Sequence, residues 1–390
     1  MFRIIPFFFY LIFGLFSVTC AGQVTNDSLT ITVTPYVGLR SQIAAFNKQL
    51  EIQDNASRFG TELSIKKGSI AFIAGTEIQL NMFKGGSNFN ADANLSGEFL
   101  TIQLEQPQQV FGNRLGYLGI DLGSYGKITI GKQWSVYRDV TSYTDQFNVF
   151  GAKASATFVA GTDGGANGTG RADQSLIYRN KIGRFHIGTQ LQLRGVNNNK
   201  YIDGFGISAQ VKLSNTILLG SAYNRAFISA NLLNSKTVLG LNGHPTYLAV
   251  AAKYQKTNFT FSAVAILQNN GDFTEGFLKN DSETENTLPS VVFNAKGFEL
   301  FSKYQFQKIA LLAGYNLYLP SISRQLPIAT KFKRNDIIAG MSYQPLKYIQ
   351  INCEQRLSFG KTAFGAKEPS VFTIGMKLDI SDSFIRKIIM

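Results

Sequence analysis

The residues from which a reaction centre would have to be built are few. The chain has two histidines, His186 and His244, and two cysteines, Cys20 and Cys353. A zinc site takes three or four convergent His, Cys or carboxylate ligands at close characteristic spacings, and these four residues are scattered. No serine stands in a Gly-x-Ser-x-Gly elbow, so nothing points to a barrel lipase. Gly161-Thr-Asp-Gly-Gly-Ala-Asn-Gly-Thr-Gly170 is rich in glycine, but no Lys-Ser/Thr pair follows at the spacing of a phosphate-binding loop. Its Asp163 and the nearby Asp173 lack the spacing of a calcium loop, and the stretch reads as flexible loop. Glu354 and Arg356 share a face with Gln350 and Asn352 and read as partners on a wall; Glu62 and Glu77 read the same way. The expectation is no enzyme, no metal and no cofactor. What is left is charge repeated at every second position, which steers ions and breaks no bonds.

Strands are the elements that would position such charges. Hydrophobic residues are 44% of the 390 and charged residues only 16%, low for a water-soluble enzyme of this length. That apolar content excludes a disordered chain. Neither heptads nor a Gly-X-Y period is present. Beyond the first segment no run of about 20 apolar residues occurs, which excludes a membrane protein of helical type. A barrel type stays open, because its strands need only alternate residues to be apolar. The dominant period is indeed 2. Phe185, Ile187, Leu191 and Leu193 alternate with Arg184, His186, Gln190 and Arg194, and Phe205, Ile207, Ala209 and Val211 with Gly206, Ser208, Gln210 and Lys212.

Sixteen such segments are predicted: 29–40, 57–66, 69–81, 113–122, 125–133, 173–182, 184–194, 204–214, 216–228, 246–255, 258–268, 291–304, 307–319, 334–344, 346–358 and 369–380. The segment 99–104 also alternates and is read as strand or loop. Connections between the strands are long and short in turn, with the longest at 134–172. An up-and-down barrel across a bilayer sorts its connections this way, with long loops outside and short turns in the periplasm. Closure also leaves no unpaired edge in hydrocarbon. The fold expected is all-β, a 16-stranded antiparallel up-and-down transmembrane β-barrel. Abundant Phe and Tyr suit its two interfacial girdles, and strand glycines such as Gly188, Gly206 and Gly314 are expected to ease the packing of tilted strands.

Met1 to Gly22 reads as a signal peptide: Arg3, an apolar run from Ile4 to Val18, then small residues. The rival reading, a lipoprotein anchor at Cys20, fits Thr19 but not Ser17. The barrel is expected over 23–390. Cys353 then has no partner for an internal disulfide.

Three stretches resemble the general trimeric porins of Gram-negative outer membranes. Ala56-Ser-Arg-Phe-Gly-Thr-Glu-Leu63 is similar to that family's second strand, and Asn113 to Trp134 to its Arg-Leu-x-x-x-Gly-Leu…Gly-x-Gly-Arg hairpin. Tyr137-Arg-Asp139, Thr144 to Gly151 and Ser175 to Asn180 resemble the start, tip and return of its long third loop. The resemblance implies that loop 134–172 folds into the lumen and constricts it, that the chain forms a homotrimer in outer-membrane lipid, and that small hydrophilic solutes and ions diffuse through it.

The resemblance and the parity together nominate pore-constriction residues. Arg58 and Arg179 coincide with basic wall positions of the family, and Arg40 joins them by parity. Lys132 stands where the family has a third Arg; strict alternation sets it with Ile128 and Ile130 towards lipid, and a bend at the strand end would turn it inward. The family places acids on the loop. Here Asp145 matches one, Val149 stands where another would be, and Lys153 follows. With 38 Lys and Arg against 25 Asp and Glu, the net charge is +13. That surplus lies either in the lumen, favouring anions, or on rims and turns; the sequence leaves both open. The bases are spread through the strands, so no nucleic-acid partner is expected. Two rival classes remain: a sugar- or anion-selective channel, to which Tyr36, Tyr137 and Tyr143 would contribute, and a surface adhesin or secreted β-protein. Family members also end on an aromatic residue, whereas here Ile385 to Met390 follow Phe384.

Overall fold

The computed structural model describes residues 28–83, 89, 110–151, 154, 163–195, 201–234, 238–275, 290–322, 326, 328–363 and 365–389. The proposed signal peptide, the segment 99–104 and Lys153 lie outside the described residues.

Sixteen strands form the wall: β1 (Ser28–Phe46), β2 (Ser57–Lys67), β3 (Ile70–Leu80), β4 (Phe111–Asp121), β5 (Lys127–Trp134), β6 (Arg171–Ile182), β7 (Phe185–Gln192), β8 (Gly204–Lys212), β9 (Ile217–Ala226), β10 (Thr246–Lys256), β11 (Phe259–Glu275), β12 (Ser290–Phe306), β13 (Ile309–Ser321), β14 (Arg334–Leu346), β15 (Ile349–Ser358) and β16 (Val371–Ser381). Each is antiparallel to the next, and β16 closes on β1 from Tyr36↔Ser381 to Ala45↔Phe372. Every predicted strand is present.

Three short segments add to this wall. Gln49–Asp54 folds back on the upper half of β1, so the first long loop is largely a hairpin. Val238–Leu239 pairs in parallel with the start of β12. Phe384–Ile389 pairs with the lower half of β1, from Ser28↔Ile389 to Val33↔Phe384. The tail after Phe384 therefore continues the sheet past the expected end of the last strand. On its other side the same half of β1 pairs with β2, through Leu29↔Lys67 and Val33↔Leu63.

Burial is inverted relative to a water-soluble protein. Phe72, Leu118, Ile130, Phe185, Ile207, Val250, Leu311 and Ile374 are exposed on the outer face, while Arg114, Gln190, Glu299 and Glu354 are among the largest fully buried side chains. Apolar side chains face the medium because that medium is lipid; polar ones are covered because something fills the lumen. Around the turn end the outward residues are aromatic: Phe72, Phe185, Tyr254, Phe259, Tyr304, Phe306, Tyr343 and Phe384 are all exposed. They form one interfacial girdle.

Candidate functional site

The connection between β5 and β6 enters the lumen. After Trp134 the chain leaves the wall, makes a single helical turn α1 (Arg138–Thr141), and runs to the opposite side of the barrel. There the backbone N–H of Asn148 donates to Glu354 Oε1 at 2.6 Å, its Nδ2 at 2.9 Å, and Val149 N–H to Oε2 at 3.0 Å. Glu299 accepts from the Thr144 hydroxyl and from Ala154 N–H, the latter at 2.8 Å. Asn316 Nδ2 donates to the Phe150 carbonyl at 3.2 Å. Wall carboxylates thus bind a loop segment whose own N–H groups have no ladder partner. Such buried donors need acceptors, and a charged acceptor is the stronger one.

Packing seats the same loop. Tyr137, Val140 and Tyr143 form one buried cluster with Ala222, Tyr247, Ala249 and Val264 of the wall, and Val149 and Phe150 another with Ala44, Ile338 and Val371. Phe147 meets Phe301 edge-on at 5.1 Å. Wall glycines make the room. A Cβ on Gly297 would lie 2.1 Å from the Ala154 carbonyl oxygen, and one on Gly314 would lie 2.6 Å from the Phe147 ring. Gly188, Gly206 and Gly220 do the same for Val136, Val140 and Tyr143. Their positions serve the loop rather than strand tilt. A Gly297→Leu channel is therefore expected to fold with its loop displaced; planar-bilayer recording would then show a higher single-channel conductance than the native chain.

Between loop and wall lies a cavity of about 500 Å³. Its wall side carries Arg40, Arg58 and Lys377; its loop side carries Arg138, Asp139 and Asp145, with Trp134 beside them. The register explains the wall cluster: Arg40 pairs with Lys377 across β1 and β16, and Gly38 with Arg58 across β1 and β2. Arg40 holds Asp379 at 2.8 Å. Arg58 lies 3.8 Å from Glu77, which also takes Arg114 Nε at 2.6 Å and the Tyr36 hydroxyl at 3.0 Å. On the loop, Arg138 stacks on the Trp134 ring at 3.8 Å and bonds Asp145 at 2.7 Å.

Of the residues nominated from sequence, Arg40, Arg58 and Asp145 line the cavity. Arg179 does not; it forks onto Asp139, at 3.0 and 3.1 Å, and aims that loop carboxylate. Lys132 turns inward. The β5–β6 register shifts between Gly131 and Gln133, and Gly131 has φ 126, so alternation breaks there. Lys132 is not at the cavity but at the root of the loop, bonding Asp163 at 3.0 Å and Asp173 at 2.6 Å. The two aspartates of the glycine-rich stretch thus hold a lysine ammonium. Burial pushes the Asp163 carboxyl up, but Arg171 and Lys132 outweigh it and keep it below the ordinary range. Glu354 and Arg356 are not partners: Glu354 holds the loop, and Arg356 donates to the Pro369 carbonyl at 2.9 Å. Lys377, Arg138 and Asp139 were not nominated. Arg138 and Asp139 lie in the motif that opens the loop and Lys377 in the strand predicted over 369–380, but nothing in the sequence gives their height in the barrel.

The three tyrosines make no ladder. Tyr137 and Tyr143 belong to the loop and are buried against the wall, and none of the three lines the cavity.

The sequence model of the Gram-negative porins matches residues 47–346. The chain belongs to that family. A porin of this kind resides in the bacterial outer membrane, where a closed barrel with an apolar outer face is stable. Among its relatives, outer membrane protein F of Serratia marcescens is 24% identical over 232 residues, a match covering 54% of this porin and 59% of the relative's own length. Among solved structures, the Salmonella typhi OmpF complex with daunomycin superposes with a TM-score of 0.69 at 15% identity, over 90% of this porin and 97% of that chain. The anion-selective porin from Comamonas acidovorans gives 0.62 at 13% identity, over 90% and 100%. These likenesses are of fold.

Proposed function

We propose that this porin is a passive diffusion channel for small hydrophilic solutes and ions, constricted where the β5–β6 loop crosses the lumen, and that it prefers anions. The carrying observation is the charge around the 500 Å³ cavity: four cationic side chains, Arg40, Arg58, Arg138 and Lys377, against the carboxylates of Asp139 and Asp145. Opposed charges at a narrow passage set a transverse field, and the excess sign selects the ion. The thin acidic row expected from Val149 supports this, since Val149 sits in the loop beside the cavity with a buried, uncharged side chain. The proposal includes a homotrimer, by family resemblance, and export by the segment 1–22.

The channel carries out no reaction in this reading. His186 lies by a turn-end residue of β7, and His244 is in a loop at the other end, where its Nδ1 accepts from Ile228 N–H at 3.2 Å. Reversal potential across a planar bilayer in a KCl gradient tests the preference. An anion-selective potential is expected, and a clearly cation-selective one would refute the assignment of the cavity charges.

A further inference from the structure

The basic surplus gathers at a second place. Where β5 to β8 reach their periplasmic turns, inward positions carry Lys127, Lys181, Arg184 and Lys212, all four exposed. Their common face follows from register. Lys127 pairs with Arg179, whose guanidinium bonds the loop inside the lumen, and Lys181 is two residues farther along that face. Lys181 pairs with His186, and His186 with Gln210, which accepts from the Tyr143 hydroxyl inside the barrel. Arg184 and Lys212 are two residues beyond His186 and Gln210, and Lys212 N–H donates to the Arg184 carbonyl at 2.9 Å. Asp121, opposite Lys127, is the carboxylate facing this group from the neighbouring strand.

Outward positions beside them carry the exposed apolar residues Ile128, Ile182, Phe185 and Leu213, so the bases face lumen water and not lipid headgroups. Neighbouring strands are about 4.8 Å apart, so four bases on four consecutive strands span about 15 Å of rim. A monovalent anion meets one or two of them, whereas a flexible chain of phosphates reaches several and gains a charge-assisted hydrogen bond at each. Lys127 is about 20 Å of strand below Trp134 at the cavity, near two screening lengths at about 0.1 M salt. The mouth and the constriction therefore act as separate electrostatic sites.

We propose that the periplasmic mouth is a binding site for linear polyvalent anions of the oligophosphate kind, formed by Lys127, Lys181, Arg184 and Lys212. The proposal rests on the lumen being the conduction path but not on which ion the constriction prefers. Occupancy of the mouth by such a chain obstructs current from one side.

The test is single-channel recording in about 0.1 M KCl with sodium tripolyphosphate added to each chamber in turn. Half-block is expected at a concentration about tenfold lower from one chamber than from the other, as local accumulation of a polyanion predicts. In a Lys181→Gln, Arg184→Gln, Lys212→Gln channel that difference should disappear, and Arg184→Gln alone should reduce it. Heat-modifiable gel mobility establishes that each variant is folded. Equal potency from both chambers in the native channel, or an undiminished difference in the folded triple variant, overturns the proposal. The KCl reversal potential is read on the same channels, so a cation-selective channel that still shows one-sided block would reject the constriction reading and leave the mouth site standing.

Discussion

Replacing both Glu299 and Glu354 by alanine is expected to free the β5–β6 loop, raise the single-channel conductance and admit larger solutes. The two carboxylates take the Thr144 hydroxyl and the N–H groups of Asn148, Val149 and Ala154. A hydrogen bond to a charged acceptor contributes about 1.5–3 kcal/mol. Lumen water replaces part of this, so about 1.5 kcal/mol per carboxylate is a reasonable net loss, or roughly tenfold in the docked-to-undocked ratio for each. The sites sit on separate strands, and their effects should add. Single substitutions are then expected to give noisy, flickering conductance, and the double variant a stably wider one. Liposome swelling with sugars of rising size reads the new limit. An unchanged limit in a folded double variant would mean that packing alone, through Phe147 on Phe301 and the tyrosine cluster, retains the loop.

The second large effect concerns charge. Changing Arg40, Arg58 and Lys377 together to glutamine leaves Arg138 against Asp139 and Asp145, and the sign of the excess at the cavity reverses. A unit charge about 8 Å from a passing ion contributes about 2 kcal/mol at an effective dielectric of about 20. Salt trims that figure, yet three such losses should move the anion-to-cation permeability ratio by at least about tenfold and carry the reversal potential through zero. The shift should be larger in dilute than in concentrated KCl. A ratio that stays put would place the selecting charges elsewhere in the lumen.

The fold was legible because lipid outside and water inside impose one rule on every strand. Phe185 to Leu193 and Phe205 to Leu213 show that rule without help from their neighbours. Loop parity was legible for the same reason, since only one side of the membrane tolerates long connections. The departures have local causes. Lys132 was ambiguous because alternation predicts direction only between bulges, and the break at Gly131 leaves little trace in composition. The pairing of Phe384–Ile389 was not legible because its partner, the lower half of β1, lies far from it along the chain. Lys377 falls in the strand predicted over 369–380, but its nearness to Arg40 depends on the β1–β16 register. Parity tells which face a residue takes; only pairing between strands tells how deep it sits. The loop's hold on Glu354 was invisible for a related reason: a carboxylate that accepts from backbone N–H groups requires no particular side chain opposite it.

The seam at β1 has a consequence for biogenesis. Ser28 to Val33 is flanked by Leu63–Lys67, which lie close to it in the chain, and by Phe384–Ile389, which lie far from it along the chain. A hairpin zips quickly, but joining segments so distant along the chain must wait on a large entropic search. Until Phe384–Ile389 docks, the first strand offers bare amides to any passing edge, so a polypeptide lacking that segment would be sticky prey for periplasmic proteases rather than a leaky pore.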